Sequence, residues 1–169
     1  IRYGYRPLPA GIEPYGRQLP ALKMLEPDGS RMSRSDAARA TDPEETTVES
    51  YVLNVRIVER AGPDDEQRYR FEAPAHVDVQ FDDLETARLY ADVFFDVNGF
   101  REEGTGEHGV PPAIFQGGKD TLAAYLLTRP GIDVNWVASF LGVDRAKAER
   151  YVSWVGERAE TIRERARER

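Results

Sequence analysis

At 169 residues, 40% hydrophobic and 31% charged, the chain is long enough for one domain or for two small ones sharing a core. No apolar run approaches the roughly 18 residues of a membrane span, and the start at Ile1 carries no signal-peptide pattern. Cysteine is absent, which excludes disulfides and thiolate metal sites and fits a reducing cytoplasm, the expected location.

Residues 1–19 are rich in Pro, Gly and Tyr, show no helical or strand period, and read as an extended arm. A short helix around Leu19 to Leu25 is stopped by Pro27-Asp28-Gly29, and Ser33 caps a second over Arg34 to Ala40. Beyond Pro43, Val48, Val52, Val55 and Val58 recur at helical spacing. The same residues also alternate as a strand would, with Leu53, Val55 and Ile57 set against Asn54 and Arg56; a helix through about Val58 is the preferred reading. A hairpin follows, leaving through Ile57-Val58-Glu59-Arg60 and returning through Arg68-Tyr69-Arg70-Phe71.

His76 to Phe81 reads as a further strand. Asp82 or Asp83 then caps a strongly apolar helix with Leu84, Ala87, Tyr90, Ala91, Phe94 and Phe95, closed by Asn98-Gly99. Residues 101–118 form a glycine-rich connection, and Lys119 to Leu127 one more helix, ended by Arg129-Pro130-Gly131.

The most informative stretch starts at Asp133. Ala138 has no bulk, so a following helix can cross it closely; Gly142 stands where a first helix must stop in a left-handed conformation. Val143 plugs the angle, Asp144 caps a second helix, and Ala148 and Tyr151 face back toward the first. A small residue, a glycine four later and an apolar residue six beyond form the helix-turn-helix pattern. The stretch resembles the DNA-reading unit of transcription regulators. The two helices and hairpin of residues 20–73 resemble, more loosely, a winged helix.

What the resemblance implies is a non-enzymatic regulator of transcription bound to double-stranded DNA. The helix from Asp144 would enter the major groove with Arg145, Lys147 and Arg150, while Asn135 and Ser139 of the preceding helix meet phosphates. The competing reading is a protein–protein interaction module that uses helix-turn-helix shapes without DNA. A weaker third is an enzyme built on the loop from Gly104 to Gly118.

Charge gives mixed signals. The formal net charge is -7, and 20 of the 23 basic residues are arginine, a balance similar to that of salt-loving archaeal proteins. Eight basic and six acidic residues lie between Asp144 and Arg169, so the terminal segment is locally positive in an acidic chain. The first unit has acids where a reader would meet phosphate: Glu44, Glu45 and Glu49, and Asp64, Asp65 and Glu66 at the hairpin tip. Ala148, Val152, Val155, Ala159, Ile162 and Ala166 make a heptad seam suited to a homodimer or to burial in the same chain. Trp136, Phe140 and Trp154 are expected in the core, and the arginines beyond Arg158 on a solvated face.

Other motifs fail. Gly117-Gly118-Lys119-Asp120 lacks both the earlier glycine (Ala113 stands there) and the hydroxyl residue of a phosphate loop. Glu102, Glu103, Glu107 and His108 lack metal-ligand spacing, so neither a metal nor a cofactor is expected. The expected architecture is mainly α with a small β hairpin (α+β). It divides into an arm (1–19), a winged-helix-like N-terminal half (20–75), a strand, linking helix and glycine-rich loop (76–118), and a C-terminal helix-turn-helix with a long terminal helix (119–169).

Overall fold

The computed structural model describes residues 45–62, 66–102 and 109–169. The expected arm, the two helices before Pro43 and the acids Asp64 and Asp65 lie outside the described residues.

Four strands form one antiparallel meander in the order β1-β2-β3-β4: β1 Glu45–Ser50, β2 Arg56–Ala61, β3 Gln67–Glu72 and β4 Val79–Phe81. The expected hairpin is β2 and β3, with Ile57 opposite Phe71 and Glu59 opposite Tyr69. The helix expected through Val58 is not there. Its residues are β1, a short 3-10 turn at Val52–Asn54, and β2. Leu53 and Asn54 both have positive φ, near 60°, so the chain reverses where a helix would continue. The valine spacing that suggested a helix spans this reversal. The alternating reading prevails because Val55 and Ile57 are buried together with Phe71, Val79 and Phe81. The sheet is one layer of a mixed α+β fold, and residues 20–44 of the expected winged-helix-like unit lie outside the described residues.

Helix α1 (Leu84–Asp96) lies against β3 and β4. Asp83 caps it, its carboxylate accepting from the Thr86 amide at 2.7 Å, and Asn98 and Gly99 end it with positive φ. Its apolar face buries Ala87, Tyr90, Ala91, Val93 and Phe95. Tyr90 packs on Phe71 and Phe81, with ring centroids about 5 Å apart, which joins helix to sheet. Helices α2 (Pro112–Gly117), α3 (Lys119–Leu127), α4 (Val134–Leu141) and α5 (Arg145–Arg167) complete the fold. One apolar cluster runs from Val55, just before β2, to Ala159 on α5.

Glu102 marks the point where α1 hands over to the glycine-rich connection. Its side chain is 6% exposed and accepts from the Tyr90 hydroxyl (2.6 Å), the Tyr125 hydroxyl (2.9 Å) and Arg129 (2.9 Å). It pins α1 to α3, and a charge this buried is tolerable only because three donors meet it. Glu103, Glu107 and His108, its partners in the metal reading, lie outside the described residues. His76 packs edge-on among Phe71, Phe94 and Phe100.

Leu53 is 66% exposed in a left-handed conformation that disfavours leucine, whereas asparagine tolerates it. Leu53→Asn should therefore stabilise the fold by about 1 kcal/mol in urea unfolding. Glu72 is partly desolvated, which opposes its ionisation, but hydrogen bonds from Arg56 and Arg70 outweigh this and hold its carboxyl below the usual range. A depressed folded value means that its stabilisation is complete above the ordinary carboxylate value and is lost as pH falls through the folded one. The stability gap between the unmodified chain and Glu72→Gln should thus be constant near neutrality and close in acid.

Candidate nucleic-acid interface

Asp133 opens α4 by accepting from the Trp136 amide at 2.7 Å. Gly142 ends it at φ 66° and ψ 39°, and the Val143 amide returns to the Ala138 carbonyl at 2.9 Å. No atom lies within 4 Å of where a Cβ at Gly142 would sit, so its backbone conformation alone calls for glycine. Asp144 caps α5 through the Lys147 amide at 2.7 Å. Ala138, Ala148 and Tyr151 are buried between the helices, as the sequence pattern requires. Helices α3, α4 and α5 touch pairwise, so the turn sits within a three-helix unit.

All five residues singled out in the sequence are exposed at this end of the molecule. Asn135 and Ser139 lie one turn apart on α4; Arg145 and Lys147 open α5, and Arg150 follows one turn later. Their surroundings differ. Arg145 pairs with Glu149 at 2.8 Å, both side chains more than half exposed. Lys147 stands 6.0 Å from the Tyr151 ring centroid. Arg150 makes no ion pair with any described residue. The acids nearby in sequence are Asp133 and Asp144, whose carboxylates cap the helices, and Glu149 and Glu157.

The position of α5 is set further along the helix. The Arg158 guanidinium clasps Asp96 of α1 (2.7 and 3.0 Å) and Asp120 of α3 (2.6 Å), while Thr121 donates to Asp96 at 2.7 Å. These hydrogen bonds, to Asp96 first and then Asp120, hold Arg158 charged far above the ordinary arginine value. One turn on, Arg163 reaches Asp92 at 2.5 Å and Glu160 at 2.7 Å, its cation lying over the Tyr51 and Phe95 rings. Arg163 is thus buried, not on the solvated face expected for it. The signal available in the sequence was Asp92 and Asp96, one turn apart on a helix with a strongly apolar face.

Ala148, Val155 and Ala159 of the heptad seam are fully buried, and α5 packs on α1, α3 and α4 of the same chain. These residues of the seam are buried within the chain, one of the two uses expected for it, while Val152, Ile162 and Ala166 are half-buried. Trp154 is 43% exposed rather than in the core, because it lies off that seam; Trp136 and Phe140 stack on each other, 5.1 Å apart, and pack against the core.

No family model, curated protein or solved structure matches this chain. Among the described residues no helix is long and apolar enough to cross a membrane.

The clasp yields a stability prediction. Asp96 is 4% exposed, so Arg158→Ala leaves a buried carboxylate without its cation and should cost about 3 kcal/mol in urea unfolding. Arg167→Ala, which removes an exposed 3.6 Å pair, should cost less than about 0.5 kcal/mol.

Proposed function

We propose that the protein binds double-stranded DNA through α4 and α5, as a regulator of transcription. The observation that carries this reading is the cationic flank of α5, where Lys147 and Arg150 make no ion pair with any described residue, directly after a left-handed turn at Gly142. A helix presented by such a turn enters the major groove by its first two turns, which here carry Arg145, Lys147 and Arg150. Asn135 and Ser139 supply hydrogen-bonding groups for flanking phosphates. The Arg145–Glu149 pair is no obstacle: an exposed pair of this spacing is worth about 0.5 kcal/mol, which a phosphate readily outbids.

Overall charge opposes the approach of DNA in dilute salt, since the chain carries a net -7. Long-range repulsion is screened at moderate ionic strength, to about 8 Å at physiological salt, while contact pairs at the surface of α5 persist. A second reading, a protein-interaction module, draws on the exposed aromatic side chains Phe115 and Trp154.

The test is a gel-shift of the full chain against mixed genomic fragments over a salt series. Binding should weaken with salt, and Lys147→Ala with Arg150→Ala should reduce the slope of log K against log salt by about 2. Binding that survives this double replacement with an unchanged slope contradicts the assigned contacts. No binding at any salt favours the interaction module.

A further inference from the structure

Trp154 is the one tryptophan standing clear of the core, and its place on α5 is informative. Lys147, Tyr151 and Trp154 follow at steps of four and three, so they form one stripe along the helix. The contacts agree: Lys147 lies 6.0 Å from the Tyr151 ring, and the Tyr151 and Trp154 rings are 5.6 Å apart. Arg150, four residues before Trp154, adjoins the stripe. Tyr151 is buried, and the indole packed beside it is 43% exposed.

We infer that Trp154 packs against the sugar–phosphate backbone of the bound duplex, at the rim of the groove that α5 enters. This rests on the DNA-binding reading above. Charge argues for the occupant: Lys147 and Arg150 precede the indole on α5 and exposed Glu157 follows it, leaving the side toward the groove cationic, which suits a polyanion whose sugars offer the indole apolar faces. Geometry argues for the rim. Trp154 lies nine residues beyond Arg145, about 14 Å along the helix axis. That is beyond the first two turns, which carry the proposed groove contacts, so the N-terminal residues meet the base edges and this position lies outside them. The contact therefore adds affinity without reading sequence. Because indole is uncharged, it also adds none of the salt dependence that comes from cations.

The test uses the full chain and duplexes of about two helical turns. Trp154→Ala, with its fold checked by circular dichroism, should weaken binding about tenfold for every sequence tried, leaving the salt slope unchanged. In a Trp136→Phe background, Trp154 is the sole indole, and adding duplex should shield its fluorescence from acrylamide. If Trp154→Ala binds as tightly as the unmodified chain and the indole stays quenchable, the inference is overturned while the DNA reading stands. A loss confined to particular sequences would place the ring at base edges and overturn the rim assignment. Shielding that grows with protein concentration, without DNA, would show a second copy covering the ring, and also overturn it. Failure of the unmodified chain to bind any duplex removes the reading beneath it.

Discussion

The Arg158 guanidinium, held between Asp96 and Asp120, fixes the rest of the arrangement. The face that α5 turns to its neighbours is dominated by small residues, Ala148, Val155 and Ala159. Such a face permits close approach but buries little area per residue, and apolar burial has no direction. Ion pairs with fork geometry do have direction. Arg158 and Arg163, five residues apart, set both the rotation and the axial position of α5 against α1 and α3. A different rotation would carry Lys147 and Arg150 away from solvent. The surface proposed to meet DNA thus depends on carboxylates that lie more than two turns away.

The same logic accounts for the unusual arginine content. Most of the described arginines are committed to carboxylates within the fold: Arg56 and Arg70 on Glu72, Arg88 on Glu49, Arg129 on Glu102, Arg158 and Arg163 on α1. A planar, always-charged fork suits these bridging positions better than lysine does. At the start of α5, Arg145 is paired with Glu149, while Lys147 and Arg150, like Arg101, Arg165 and Arg169, make no ion pair with any described residue.

What the sequence revealed divides along the range of the interactions involved. Gly142, Asp144, Asp83 and the Asn98-Gly99 stop act on backbone groups a few residues away, and the turn, both caps and the α1 terminus appear where local rules place them. The exposure of Asn135, Ser139, Arg145, Lys147 and Arg150 was legible for the same reason, because helical phase follows from the caps. The segment from Glu45 to Val58 was misread because its valines fit two periods, and only pairing with β3 decides between them. The burial of Arg163 and the internal use of the heptad seam depend on α1, some 70 residues earlier, and no local pattern announces that pairing. Trp154 has the residue type of a core position, but its offset from the seam leaves it partly exposed.

The central claim is that the end of the molecule formed by α4 and the first turns of α5 is where DNA makes contact. Backbone amide shift mapping of the isotope-labelled chain, titrated with a duplex, addresses it residue by residue. The account predicts perturbations concentrated between Asp133 and Trp154, with β1 to β4 unmoved. Shifts centred on the strands, or none at saturating duplex, would contradict it.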